Sequence, residues 1–190
     1  MIRLIVGLGN PGNEYVDTRH NVGFCFIDSL AKLLKLNLTL EPKYYGYVAR
    51  TKLNDQDLWL LKPQTFMNLS GKSVQALANF YKIKDEEILI VHDELDFKPV
   101  IVKLKHGGGN GGHNGLKDID RVIGKNYWRT RVGIGHPGDA NKVAGYVLSK
   151  PSLNDSVDIS HALDKVLRNI NELITGDFTI AQKNIHTVDK

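Results

Sequence analysis

Two periods of apolar and polar residues run through the chain. Ile2 to Gly7 is an apolar run of the kind buried on both faces of a parallel sheet, and predicts a strand. From Asn21 to Leu34 the residues Val22, Phe26, Ile27, Leu30, Leu33 and Leu34 recur at helical spacing and predict an amphipathic helix. Tyr44 to Leu53 and Leu58 to Leu61 are β-prone runs on either side of Asn54-Asp55-Gln56-Asp57, the pattern of a hairpin. A second helix is expected around Asn68 to Tyr81, with Val74, Leu77, Ala78 and Tyr81 on one face. Glu87 to Val91 reads as a buried strand ending in His92-Asp93-Glu94, and Val100 to Lys105 as a strand with alternating lysines.

Six glycines then fall between Gly107 and Gly115, which requires a loop. Leu116 to Ile123 reads as a helix and Thr130 to Ile134 as a strand. The last long helix is expected from Leu153 to Thr175, stopped by Gly176. No repeat or linker interrupts this alternation, so residues 1–190 are read as a single α/β domain. The expected architecture is a three-layer sandwich, a mixed and largely parallel sheet with helices on both faces.

Composition sharpens this in two places. One cysteine, Cys25, excludes an internal disulfide framework and favours the reducing cytoplasm. The first apolar run stops at Gly9-Asn10-Pro11-Gly12, too short for a signal peptide, and no stretch reaches the ~18–20 apolar residues of a membrane span. The net charge of +4 is unevenly placed. Between Val100 and Arg131 stand Lys103, Lys105, Lys117, Arg121, Lys125, Arg129 and Arg131 against Asp118 and Asp120, so a polyanion is expected to meet this segment.

In an open α/β sheet the ligand site lies beyond the carboxyl ends of the strands. Asn10, Asn68, Asp93, His113 and Asn114 all follow strands, and they converge if those strands are parallel neighbours. An antiparallel Val100–Lys105 strand would place the glycine loop less directly. His20, just before the first amphipathic helix, is the best candidate base, because a neutral imidazole takes a proton from water and a carboxylate such as Asp93 can hold its tautomer. Asn side chains offer NH₂ donors to a carbonyl or its oxyanion. Singly, each has an ordinary reading in a turn or helix cap.

Other chemistries fit less well. Cys25 lies within a helix and Ser70 lacks a G-x-S-x-G setting. His92, His106, His113 and His136 show no zinc-site spacing, so neither metal nor cofactor is expected. Gly7-x-Gly9-x-x-Gly12 satisfies the dinucleotide fingerprint, but it contains Pro11, and the acid about 20 residues on would be Asp28, inside a helix. The glycine run beside Lys103 and Lys105 is a credible phosphate clamp, or else a plain surface connection beside an edge strand protected by lysines.

Taken in order, these motifs resemble the bacterial-type peptidyl-tRNA hydrolase family. The resemblance rests on Gly7-Leu8-Gly9-Asn10-Pro11-Gly12 with Tyr15, Thr18-Arg19-His20-Asn21, Lys62 to Gly71, His92 to Asp96, Gly107 to Leu116 and Gly133 to Pro137. It implies a monomeric, metal-independent enzyme that cleaves the ester between peptide and tRNA, meeting the acceptor stem and 3′ end. By similarity His20 would be the general base, Asp93 its partner, and Asn10, Asn68 and Asn114 would position the peptide and stabilise the intermediate. His113 would lie beside the cleft in a mobile glycine segment, Tyr15 and Met67 would line the peptide groove, and Lys103, Lys105 and Arg131 would hold tRNA phosphates. The family usually has a Pro-Gly turn after Asp96, where this chain has Phe97-Lys98-Pro99-Val100. Without that glycine a turn needing positive φ is less accessible.

Overall fold

The computed structural model describes residues 1–188, which form one seven-stranded sheet between two helical layers. The strands are β1 (Leu4–Gly7), β2 (Thr39–Glu41), β3 (Gly46–Leu53), β4 (Gln56–Pro63), β5 (Ile88–Glu94), β6 (Val102–His106) and β7 (Trp128–Gly133). Their order is β2-β3-β4-β1-β5-β7-β6. β4, β1, β5 and β7 are mutually parallel, while β2, β3 and β6 add antiparallel wings. The expected three-layer α/β sandwich with a mixed, largely parallel sheet is the fold observed.

Side-chain alternation along the central strands builds the two cores. Ile5, Leu60, Leu89, Val91 and Val132 face α1 (Val22–Leu33), α5 (Leu153–Arg168), α6 (Ile170–Thr175) and α7 (Phe178–His186). Leu4, Val6, Trp59, Leu61 and Ile90 face α2 (Ser70–Phe80) and α3 (Asn114–Ile123). This second core takes in no residue of β6 or β7, so α2 and α3 leave that wing of the sheet uncovered on their side.

Three expectations change. The helix expected from Leu153 to Thr175 breaks at Asn169, whose side chain donates to the Lys165 carbonyl (2.8 Å) and accepts from Asn184 (2.9 Å). An Asn that bonds locally offers the backbone an alternative to the helix, and here it also ties α5 to α7. The hairpin turn is tighter than the four polar residues suggested: Asn54 and Asp55, at φ 53 and 61, make a two-residue turn closed by Leu53 and Gln56. Thirdly, β2, α4 (Val143–Val147) and α7 were not expected at all. They are short or follow a helix stop, and their periodicity is correspondingly weak.

Two close approaches position the site. A Cβ on Gly23 would lie 2.3 Å from Leu8 N and 2.5 Å from Val91 O, so only glycine lets the start of α1 sit on the ends of β1 and β5. That contact delivers the preceding residues to the carboxyl edge of the sheet. The turn after Asp96 forms without the family's glycine: Ile101 N–H donates to Lys98 O (3.2 Å) with Pro99 next and Val100 at φ 80. Pro followed by a positive φ is type II geometry, carried here by a β-branched residue that resists it.

Candidate active site

Asp93 is the next-to-last residue of β5, in the middle of the sheet, and its carboxylate is almost wholly buried. His20 lies on the 3-10 turn Arg19–Asn21 that leads into α1. This turn is fastened on its outer side, where the Arg19 N–H donates to Ser149 O (3.0 Å) and its guanidinium to Tyr146 O (3.1 Å). His20 Nδ1 then meets Asp93 Oδ2 at 2.8 Å. The two side chains read from the sequence as a pair are in direct contact.

Asp93 has a second imidazole partner. His113 Nε2 lies 2.8 Å from Asp93 Oδ1, and the His20 and His113 rings are 5.0 Å apart. His113 also caps α3, its Nδ1 accepting from the N–H groups of Gly115 (3.1 Å) and Leu116 (3.3 Å). An Nδ1 that accepts leaves the hydrogen on Nε2, so the hydrogen bond runs from His113 to Asp93 and its tautomer is set by the helix N-terminus. His113 lines the cavity of the site, as expected of a residue beside the cleft, and its bond to Asp93 is the feature the sequence did not announce.

The charges follow. Burial alone would raise the Asp93 pKa, but His20 and His113 outweigh it and hold the carboxyl below the ordinary range. For His20 burial acts to lower the pKa, and the Asp93 charge and hydrogen bond reverse this, for a net rise above 6.5. Neighbouring His92 is buried, its Nδ1 donating to Asp93 O (2.9 Å), and burial pushes its pKa down to about 3. His92 is therefore a neutral wall of the site.

His20, Asp93 and His113 offer three ligand atoms within 4.8 Å of one another, the one such group among the described residues. Binding a metal through His113 Nε2 would drive its hydrogen onto Nδ1, against two backbone N–H donors. The capped tautomer therefore disfavours coordination at that ring.

Asn10 is held from both sides. Asn21 brackets its backbone, accepting from Asn10 N–H (2.8 Å) and donating to Asn10 O (2.9 Å), and Asn10 Oδ1 accepts from Met67 N–H (2.8 Å). With the amide oxygen engaged, its NH₂ is the end available to a ligand. Asn21, buried at the start of α1, was not picked out by residue type, although it stands in the Thr18–Asn21 block. Met67 is buried beneath this bond, Asn68 beside it is exposed, and Tyr15 is half-buried. A cavity of about 510 Å³ is lined by His20, Asp93, His113 and Asn114, with residues of α4 also in its wall. Asn10, Tyr15, Met67 and Asn68 lie outside its lining.

β6 runs antiparallel to β7, so its carboxyl end points away from the site. The glycine run carries the chain back to His113. Arg129 was counted with the basic segment, but its guanidinium is buried and donates to Gly107 O (2.7 Å) and Gly109 O (2.7 Å). It anchors the glycines and is not offered to a polyanion. Lys103 and Lys105 are exposed on one face of β6, opposite Arg131 and Arg129 in register. Arg131 pairs with Glu94 (2.7 Å) and lies over the Phe97 ring (4.5 Å). These side chains occupy the wing that α2 and α3 leave uncovered.

The dinucleotide reading fails on the same geometry, because the chain after β1 passes through 3-10 turns and the first α-helix begins only at Val22. Comparison with known proteins decides between the remaining readings. The family model for peptidyl-tRNA hydrolase matches residues 4–190. The chain belongs to the peptidyl-tRNA hydrolase family. It is 55% identical over 187 residues to the peptidyl-tRNA hydrolase of Neisseria gonorrhoeae (strain NCCP11945), covering 98% of this chain and 97% of that one. It is 55% identical to that of Delftia acidovorans over 188 residues, covering 98% and 91%. The crystal structure of peptidyl-tRNA hydrolase from Acinetobacter baumannii superposes with a TM-score of 0.97 at 46% identity, covering 99% of this chain and 96% of that one. Likeness to this peptidyl-tRNA hydrolase extends over nearly every described residue, so the unusual Lys98–Ile101 turn displaces no element of the family fold.

Proposed function

We propose that this chain hydrolyses the ester between peptide and tRNA, releasing free tRNA, with water activated by His20 and Asp93. The reading is carried by one observation: His20 Nδ1 is engaged by Asp93 at 2.8 Å, which leaves Nε2 as the basic nitrogen beside the cavity. Neutral His20 accepts a proton from water at Nε2 as the oxygen attacks the ester carbonyl, and Asp93 stabilises the imidazolium. The NH₂ groups of Asn10, Asn68 and Asn114 donate to the peptide and to the developing oxyanion. The intermediate collapses by breaking the carbon–oxygen bond to the ribose, and His20 returns its proton to that leaving oxygen. His113 fixes Asp93 from its other side.

Tyr15 and Met67 belong to the peptide side. Lys103, Lys105 and Arg131 hold phosphates of the acceptor stem and 3′ end on the uncovered sheet wing. We place the enzyme in the cytoplasm as a monomer needing no cofactor; no helix among the described residues is long and apolar enough to cross a membrane.

Incubation with an N-blocked aminoacyl-tRNA is the direct test. Release of the blocked amino acid by the wild type, and its loss in a folded His20→Ala variant, is expected. Binding of the tRNA without release would mean a binding module, and near wild-type turnover in His20→Ala would remove His20 from the base role.

A further inference from the structure

The uncovered wing of the sheet sets two like charges side by side. Lys103 on β6 and Arg131 on β7 are directly opposite in register. Gly133 N–H donates to Ile101 O (2.9 Å), so by antiparallel alternation Lys103 and Arg131 form a hydrogen-bonded pair. Their Cα atoms are then about 5.5 Å apart, with both side chains on one face. Like charges so placed repel, and two long side chains left to themselves would splay into solvent.

Two groups counter this. Glu94 takes one edge of Arg131, its Oε1 accepting from Nε (2.8 Å) and Nη2 (2.7 Å). The second is the ring of Phe97. The Arg131 guanidinium carbon stands 4.5 Å from its centroid and Lys103 Nζ 5.0 Å, so one ring serves both cations. The negative face of an aromatic ring attracts cations within about 6 Å. It does so without the full negative charge of a second carboxylate, which would repel a phosphate.

The ring is placed by backbone and by a missing side chain. Phe97 O accepts from Gly135 N–H (2.8 Å), which fixes the residue beside the end of β7. Gly133 lies two residues beyond Arg131 and therefore on the same face of that strand. A Cβ there would come within 2.9 Å of Phe97 Cβ and would overlap Lys98 O. The bare face of Gly133 is thus the bay into which the turn at Lys98–Ile101 brings Phe97. Half-buried there, Phe97 lies outside the lining of the cavity that holds His20 and Asp93, whereas Glu94 is part of it.

We infer that Phe97 is a positioning residue of the phosphate clamp: its ring holds Lys103 and Arg131 side by side before the RNA arrives. Ordering the cations in advance lowers the entropic cost of binding. This role rests on the reading of those two cations as tRNA phosphate ligands; the contacts between ring and cations do not.

The test compares Phe97→Leu, which keeps an apolar side chain, with Phe97→Tyr, which keeps the ring, in the whole protein. Without RNA, the Lys103 Hε and Arg131 Hδ proton signals are expected upfield in the wild type and in Phe97→Tyr, through the ring current, and at ordinary positions in Phe97→Leu. With N-blocked aminoacyl-tRNA, Phe97→Leu should raise KM about 5-fold and keep kcat within about 2-fold. Phe97→Tyr should recover most of that loss. In a Lys103→Ala/Arg131→Ala background, Phe97→Leu should change kcat/KM by less than about 1.5-fold, because the cations through which the ring acts are gone.

An equal loss in both backgrounds would mean that the ring only packs the turn, and overturns the role. Upfield signals with an unaltered KM in Phe97→Leu overturn it as well, and ordinary signals in the wild type remove the contact itself. If the wild type releases nothing from N-blocked aminoacyl-tRNA, the hydrolase reading falls, and the dissociation constant for tRNA replaces KM in the same comparison. Absence of tRNA binding then overturns the clamp and the role of Phe97 together.

Discussion

Replace Asp93 by Asn, and the two imidazoles beside it compete for a single acceptor. In the native site each carboxylate oxygen receives one N–H, from His20 at 2.8 Å and from His113 at 2.8 Å. An amide of the same shape offers one oxygen and one NH₂. His113 cannot yield, because its Nδ1 already accepts from Gly115 and Leu116 and its hydrogen must stay on Nε2. The amide oxygen therefore turns to His113 and the NH₂ faces His20, whose hydrogen moves to Nε2, the nitrogen that must take the proton from water. Losing a positioned base costs about 10²–10⁴ in rate. The same exchange in a Ser-His-Asp triad costs on the order of 10⁴ through the wrong tautomer. We expect kcat in Asp93→Asn to fall about 10³-fold, near 4 kcal/mol at 1.36 per decade, with KM changed by less than about 3-fold.

The structure also predicts a partial recovery. In Asp93→Asn/His113→Asn the second Asn can still cap α3 through its own side-chain oxygen but is too short to hold the amide, which is free to turn its oxygen to His20. Single-turnover release from N-blocked aminoacyl-tRNA should be about tenfold faster than in Asp93→Asn alone. The pH profile adds a sign. Wild-type kcat/KM should rise as His20 loses its proton, with a midpoint above 6.5 because Asp93 favours the charged ring. Without that charge burial dominates and the midpoint should drop below 6.5. A double variant no faster than Asp93→Asn, or Asp93→Asn within tenfold of wild type, would refute the tautomer argument.

Further outcomes follow from the same structure. Lys105→Ala should weaken tRNA binding and flatten its salt dependence by about one phosphate, whereas Arg131→Ala should cost more because it leaves Glu94 unpaired beside the cavity; adding Glu94→Gln should recover part of that excess in a KM comparison. Val100→Gly should raise stability by about 1 kcal/mol, since glycine accepts the φ of 80 that Val100 is forced into. Equal or lower stability in thermal unfolding would mean that the turn is not strained.

Much of the fold was legible because apolar period maps directly onto buried faces: β1, α1, the hairpin, α2, β5 and β7 all stand within a few residues of where the pattern places them. The pairing of His20 with Asp93 was read from their placement at one edge of the sheet together with the family motifs around them. What could not be read were properties of direction and partnership. Alternating lysines in β6 say which face is exposed but not that the strand runs antiparallel. Arg129 and Arg131 are alike in sequence, yet one is buried under glycine carbonyls and the other is paired with Glu94. Asn169 looked like any polar helix residue until its bond to Asn184 showed why α5 stops there. His113 was readable as a nearby imidazole, but its bond to Asp93 depends on a helix cap that no spacing rule announces.

The way the sheet ends has a consequence for how this chain behaves in a crowded solution. A β-sheet with a long bare margin recruits whatever strand it meets, including that of another copy. Here one margin is β2, three residues long, and at the other Gln182 and His186 stand in for a missing neighbour by satisfying both outward groups of Leu104. Two side chains on α7 thus do the work of an eighth strand, and they leave copies of the chain little backbone with which to zip together.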